Sequence, residues 1–357
     1  MRVEDKRQKT INEGKLFISN LDGDVYVLGT NLYGLSLANW LKNTGFKIKG
    51  FINDFYQEEL FSGYKVFRSN ENFKDDSIIN CIVEGRAFEA FLNIEKMKPK
   101  SQVSYFSLKS AFKDQLPEVQ FLDNTESIID DLDSYTRLYD LLQDDISKNH
   151  FEAITNFRLN RDISFLKDFI FNIRGQYFED FLTLKDNPTF LDGGGFDGYT
   201  SILFSKIYPN YNEIFYFEPS LNSYNISQKN LQNLENIHLI QKGLWNYPTT
   251  LTFNSSLGSA SKISNHGVIF IETTTIDNIG ASKIDLIKLD IEGAEKQALI
   301  GAKETILRDR PKLAVCVYHN QEDFIEIPKL ILGIRNDYKV FLRHYTQGVF
   351  ETVMYFI

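Results

Sequence analysis

The residues best placed to do chemistry lie in Phe190-Leu-Asp-Gly-Gly-Gly-Phe-Asp-Gly-Tyr-Thr-Ser201. Gly193, Gly195 and Gly198 satisfy G-x-G-x-x-G between an apolar run that reads as a strand and a helical pattern from Tyr199. Glycine lets the backbone turn sharply and approach a ligand without a Cβ in the way. The spacing alone suits a dinucleotide or a sulfonium cofactor equally. The charges around it discriminate. A dinucleotide brings a pyrophosphate to the helix N-terminus, where negative charge is favoured. Here the loop carries Asp192 just before the glycines and Asp197 among them. Two carboxylates repel a pyrophosphate but suit the sulfonium and ammonium of S-adenosylmethionine. At an effective dielectric of about 20, opposite charges ~4 Å apart attract by about 4 kcal/mol before desolvation.

Glu218 ends the next strand, where an acid accepts hydrogen bonds from ribose hydroxyls. The competing role for Asp192 is a helix N-cap, and for Glu218 a solvated strand end. Trp245 and Tyr199 could pack against the adenine or the methionine chain, and Ser259 could line the same cleft from its position in a Gly/Ser stretch.

A sulfonium cofactor offers its methyl group to a nucleophile, and where that nucleophile is a hydroxyl the transfer needs an in-line acceptor and a base for its proton. In an open α/β sheet the ligand lies outside the carboxyl ends of the strands. Three such ends carry polar chemistry: Asp290 with Glu292, Tyr318 with His319, and His344 with Tyr345. Glu292, His319 and His344 are the candidates for acceptor binding and proton removal, His319 first, since imidazole titrates near neutral pH. Asp290 contacts the cofactor or orients the acceptor; its competing role is a cap for the helix near Gly293. His150, His238 and His266 read as packing or surface residues. Carboxylates suit Mg²⁺, and Asp290, Glu292 and a histidine could hold one, but no spacing demands a metal and none is expected.

These side chains must be positioned by a chain of 357 residues, long enough for two domains. The strands of the last part read Thr189–Asp192, Glu213–Glu218, Ile237–Lys242, Ile284–Asp290, Lys312–His319, Lys339–Tyr345 and Glu351–Ile357, with helical patterns in most gaps. Between Thr249 and Thr274 alternating patterns suggest a hairpin insertion. Only Thr346 to Phe350 join the last two strands, which permits an antiparallel hairpin and excludes a parallel crossover. The expectation is a seven-stranded, mostly parallel Rossmann-like sheet with an antiparallel last strand, over 181–357. A smaller Rossmann-like α/β domain is expected within 1–115, its first ordered strand near Asp24. A helical connector is expected over 116–180, where Ile128, Ile129, Leu132, Tyr135, Leu138, Leu141 and Leu142 recur at helical spacing.

A formal net charge of −9 and the lack of a dense Lys/Arg run argue against a nucleic-acid binder or a membrane-surface role. No run approaches the roughly 20 apolar residues of a membrane span, and the charged start argues against a secretory signal. Two cysteines, Cys81 and Cys316, read as buried thiols and fit a reducing cytoplasm.

With these residues placed, the chain from about Gln176 to Ile357 resembles the FkbM-type methyltransferases. The resemblance rests on Gln176-Tyr-Phe178, the glycine loop to Thr200, Phe217-Glu-Pro219, Lys242-Gly-Leu-Trp245 and Thr275-Ile-Asp277. It continues through Ile287-Lys-Leu-Asp-Ile-Glu-Gly-Ala-Glu295, Val317-Tyr-His319 with Ile327-Pro328, and Arg343-His-Tyr-Thr346 with Glu351-Thr-Val353. It implies methyl transfer from S-adenosylmethionine, usually to a hydroxyl of a sugar, glycan precursor or other small metabolite. It also implies a cofactor site formed by Asp192, Gly193, Gly194, Gly195, Phe196, Asp197, Thr200, Glu218, Pro219, Gly243, Leu244, Trp245, Ser259 and Asp290. The alternatives are an NAD-dependent oxidoreductase, since the glycine pattern fits one, or a nucleotide-sugar-binding scaffold. Val25-Tyr-Val-Leu-Gly29 with Gly34 and Asn53-Asp54 lies outside the resemblance. It looks like the small domain that in some sugar-modifying enzymes takes a nucleotide-sugar, but with two glycines where a dinucleotide fingerprint has three, a purely structural or docking role is the alternative. A homo-oligomer is compatible with the sequence.

Overall fold

The computed structural model describes residues 1–254, 262–263 and 269–357. The chain divides into two compact units: residues 1–133, 149–173 and 344–351 form the first, and 134–148, 174–343 and 352–357 the second. The helical segment 116–180 is shared between them rather than forming a unit of its own.

The first unit opens with α1 (Arg7–Ser19), so order begins well before the expected strand near Asp24. Its buried face is Thr10, Gly14 and Phe17. Two of these three are small or polar, so α1 carries no apolar stripe. Gly14 has a packing reason: a Cβ there would lie 2.3 Å from the Ser107 carbonyl oxygen. There follow β1 (Val25–Leu28), α2 (Leu32–Asn43), β2 (Ile48–Ile52), β3 (Leu60–Phe61), β4 (Tyr64–Phe67), β5 (Ser77–Asn80), α3 (Ala87–Met97), β6 (Ser101–Ser104) and α4 (Tyr105–Ala111). The sheet order is β3-β4-β2-β1-β5-β6, and all pairs are parallel except β3 with β4. Tyr26, Ile52, Phe73, Ile78 and Ile94 form a buried cluster on it.

Helices α5 (Ser127–Asp130), α6 (Leu132–Leu141) and α7 (Asp145–Asn160) occupy the helical segment. Ile128, Tyr135, Leu138 and Leu142 of the expected apolar face are buried, whereas Ile129, Leu132 and Leu141 are exposed. The break at Asp131 between α5 and α6 interrupts the single stripe that their spacing suggests.

The second unit is built on β7 (Thr189–Gly193), α8 (Tyr199–Ile207), β8 (Glu213–Phe217), α9 (Leu221–Asn230) and β9 (Ile237–Ile240). Next come β10 (Gly243–Leu244), β11 (Thr250–Asn254), β12 (Lys262–Ile263) and β13 (Ile269–Thr274). The order closes with β14 (Leu286–Leu289), α10 (Glu295–Ile300), α11 (Lys303–Asp309), β15 (Lys312–Cys316), α12 (Asp323–Ile334), β16 (Val340–His344) and β17 (Thr352–Phe356). The seven-stranded order is β16-β17-β15-β14-β7-β8-β9. Strands β9, β8, β7, β14 and β15 run parallel, and β17 is antiparallel to β15. Lys339 and Ile357 exchange both backbone hydrogen bonds, the antiparallel pattern, at the far end of β16 and β17. The Rossmann-like expectation holds. Both β7 and β14 are buried at every position, as parallel strands covered on both faces must be.

The insertion forms a second small sheet, with β11 antiparallel to both β12 and β13 and β10 parallel to β13. Because β7 lies between β8 and β14, the connections leave it in opposite directions. In open α/β sheets such a switch point is where the ligand crevice lies, here at the carboxyl ends of β7 and β14.

Candidate active site

The loop after β7 is held from three sides by the protein itself. The N–H groups of Gly194 and Gly195 both donate to the Phe217 carbonyl at 3.0 Å. Gly194 has φ +74°, and a Cβ there would fall 1.9 Å from the Asp290 carbonyl oxygen. A Cβ on Gly195 would fall 1.9 Å from the Tyr216 ring. These two glycines are therefore required by protein packing before any ligand is considered. Gly193 is packed by Leu289 and Leu244, which places Leu244 beneath the loop.

Below the loop lies a residue that sequence reasoning missed. The Lys288 ammonium, wholly inside, meets Asp192 Oδ1 at 3.1 Å and donates to the carbonyls of Gly193 at 3.1 Å and Gly194 at 2.7 Å. Asp192 is fully buried, and its Oδ2 accepts from Ser201 Oγ at 2.7 Å. This corrects the charge reading of Asp192: Lys288 already meets its charge, so it anchors the loop rather than facing a cation. It is not a helix cap either. The N-cap of α8 is Gly198, and just before it Asp197 Oδ1 accepts from the Tyr199 N–H at 3.0 Å. The available signal was a pair of charges, Asp192 and Lys288, each inside an otherwise apolar strand.

Glu218, at the end of β8, is nearly buried rather than solvated. Its Oε2 accepts from Phe196 N–H at 3.1 Å and its Oε1 from Ser220 N–H at 2.8 Å. Burial raises its carboxyl to about 7, against the opposing pull of those two N–H groups and of Lys288. Phe196, at φ +50°, and Tyr199 are both about half exposed. Pro219, Thr200, Gly243 and Trp245 are half-buried, and the Trp245 N–H donates to the Thr274 carbonyl. Ser259 and His266 lie outside the described residues.

Asp290 continues directly from this loop, its N–H donating to the Gly193 carbonyl. It is not a helix cap, because α10 starts only at Glu295. Its carboxylate accepts from Tyr177 Oη at 2.8 Å and Tyr318 Oη at 3.3 Å. Burial alone would raise its pKa, but Lys288 and His319 bring it below the usual carboxylate range. His319 is 4% exposed. Its Nδ1 is 3.0 Å from Glu295 Oε1, and its Nε2 is 3.5 Å from both Asp290 Oδ1 and Glu292 Oε2. Burial pulls the imidazole down, yet Glu295, Glu292 and Asp290 together hold it up at about 10. The structure thus brings Asp290, Glu292 and His319 together and adds Glu295 and Tyr177.

Residues 192–341 match the family model of the methyltransferase FkbM domain. That stretch of the second unit is an FkbM methyltransferase domain. A crystal structure of Methyltransferase FkbM from Methylobacillus flagellatus KT shares the fold, with a TM-score of 0.75 at 20% identity, covering 98% of each chain. The 2-O-methyltransferase NoeI of Sinorhizobium fredii (strain NBRC 101917 / NGR234) is 27% identical over 151 aligned positions. That alignment covers 35% of this chain and 62% of the relative, so the chain spans less than two thirds of that protein's length.

The cofactor of the FkbM domain is S-adenosylmethionine. The residues present fit it: Glu218 stands at the end of β8 beside the loop, and when ionised each of its oxygens keeps a lone pair beyond its backbone N–H for a hydroxyl donor. The FkbM match also decides against the dehydrogenase alternative that the glycine spacing left open.

His344, the third base candidate, is held by neighbours of its own unit. It belongs to the first unit, is 3% exposed, and its N–H donates to His150 Nδ1 at 3.0 Å. Its ring packs on Phe169 at 4.6 Å, and burial beside His150 and Arg158 lowers it to about 3.

Proposed function

We propose that the FkbM domain methylates a hydroxyl oxygen of a sugar, glycan precursor or other small metabolite. The observation that carries this reading is continuity: the Asp290–Glu292–His319 group starts at the residue packed against Gly194 of the cofactor loop. A methyl donor in the crevice and a proton acceptor beside it are the two things that O-methylation requires. The naming of one relative as a 2-O-methyltransferase supports oxygen as the acceptor atom.

When bound, S-adenosylmethionine supplies an electrophilic methyl group. Glu218 and the backbone of 193–196 hold its adenosine end. Asp192 and Lys288 fix the loop from beneath. Glu292 is the proton acceptor: its side chain keeps 19% of its surface open, whereas the His319 side chain is wholly closed in between carboxylates. His319 and Asp290 orient the acceptor and Glu292. Glu292 has φ +58°, a left-handed backbone that non-glycine residues seldom adopt, and it turns the chain out of β14 toward His319.

The test is incubation with methyl-labelled S-adenosylmethionine and a panel of hydroxylated sugars and metabolites, for the native chain and Glu292→Gln. Labelled ether products from the native chain, lost in the variant while cofactor affinity stays, are expected. Label appearing only on nitrogen or carbon, or full turnover by the variant, would contradict the assignment.

A further inference from the structure

We propose that Asp290, Glu295 and His319 form a binding site for a divalent cation at the carboxyl ends of β14 and β15. One ligand atom from each of the three lies within 4.8 Å of the others. Two carboxylate oxygens and one imidazole nitrogen form a mixed oxygen–nitrogen set that suits borderline divalent ions such as Mn²⁺ and Zn²⁺. Three protein ligands also leave coordination positions for water or an acceptor oxygen.

The ligands are fixed in advance. Tyr177 and Tyr318 hold Asp290 through their hydroxyls. The Ile291 N–H holds Glu295 Oε1 at 2.7 Å. Outer partners of this kind orient metal ligands and contribute strongly to affinity.

Charge points the same way. Four carboxylates gather around one imidazole: Asp290, Glu292, Glu295 and Asp323, with Glu295 at 0% and Asp323 at 5% exposure. The neighbouring ammonium, Lys288, is engaged with Asp192 and two loop carbonyls. Buried negative charge needs a cation or a full set of donors. Glu295 lacks the latter, because its second oxygen, Oε2, is buried with no hydrogen-bond partner among the described residues. A divalent cation in the cluster takes the place of the proton on His319, which ligates only as neutral imidazole, and supplies both the further charge and the missing partner.

The site stands apart from the methyl-transfer reading, but its role rests on it. A cation here would bind the acceptor hydroxyl and make its proton easier to lose to Glu292. The experiment strips the full chain with a chelator and titrates Mn²⁺ without cofactor or acceptor, reading free Mn²⁺ by electron paramagnetic resonance and heat by calorimetry. One Mn²⁺ per chain at micromolar affinity is expected, weakened at least tenfold in Glu295→Gln and in Asp290→Asn. Glu295 is wholly buried, so the part-exposed Asp290 gives the second variant, and far-ultraviolet circular dichroism verifies the fold of each. Binding no tighter than millimolar, or unchanged binding in both folded variants, would overturn the site. Mn²⁺ binding in a chain that methylates no hydroxyl would uphold the site and overturn only the function proposed above.

Discussion

The two units turn on glycine after equivalent strands, and the comparison separates fold from chemistry. In the first unit Gly29, at φ +109°, follows β1, which lies between β2 and β5. In the second the glycine loop follows β7, which lies between β8 and β14. The first turn uses its polar groups on itself. Asn31 Oδ1 accepts from the Gly34 N–H, its Nδ2 donates to the Cys81 carbonyl, and Asn53 donates to Thr30. Asp54, the acid after β2, accepts from the N–H and hydroxyl of Ser69. The second loop instead sits on a buried ion pair and is flanked by Glu218. The strand neighbouring each turn differs most: β5 leads into Cys81-Ile-Val83, while β14 leads into Asp290-Ile-Glu292. A shared sheet topology carries no chemistry until strand ends supply it.

The largest effect expected from breaking this difference is on stability. Lys288→Met leaves Asp192 buried without its partner, and breaking a buried pair costs about 3–5 kcal/mol. Chemical denaturation should show this loss, and Asp192→Asn combined with Lys288→Met should lose less than the two singles summed. Strict additivity would show that the pair does not hold the loop.

Next in size, Glu218→Ala should weaken S-adenosylhomocysteine binding by ~1–3 kcal/mol through lost charged hydrogen bonds, measured by calorimetry. The same residue gives the pH dependence. Burial puts its carboxyl at about 7, with Lys288 and Asp192 as the charged groups facing it. The acceptor carboxylate is therefore complete above pH ~7 and lost as pH falls through that value. Cofactor affinity should drop severalfold between pH 8 and 6, by calorimetry at each pH, and Glu218→Gln should flatten the profile; an equal slope in the variant would assign it elsewhere. For stability the sign is opposite. A carboxyl raised in the folded state favours folding most when protonated, so this group's contribution is lost as pH rises through about 7.

Smallest is the control in the first unit. Asn31→Ala removes the α2 cap and should cost ~1 kcal/mol of stability, with cofactor affinity unchanged in calorimetry. A changed affinity would mean that the two turns are not functionally separate.

What was legible in the sequence follows the range of each interaction. Glu218, Asp290, Glu292 and His319 were legible because a strand end is marked locally, by where an apolar run stops. The helical segment was legible as helix, but its division between units depends on contacts distant in sequence. Lys288 was not legible as a site residue, because a lone lysine in Leu286-Ile-Lys-Leu289 is explained only by Asp192 on the neighbouring strand. Glu295 reads as an ordinary first-turn acid of α10 until His319 is placed beside it. Tyr177 belongs to a segment with no regular element, and its hydroxyl finds Asp290 only in the folded chain.

The central claim is that the glycine loop over Lys288, with Glu218 beside it, holds a sulfonium cofactor and not a dinucleotide. Calorimetric titration of the native chain with S-adenosylhomocysteine and, separately, with NAD tests this directly. Micromolar binding of S-adenosylhomocysteine and no heat from NAD is the predicted result. Binding of NAD alone, or of neither ligand, would contradict it.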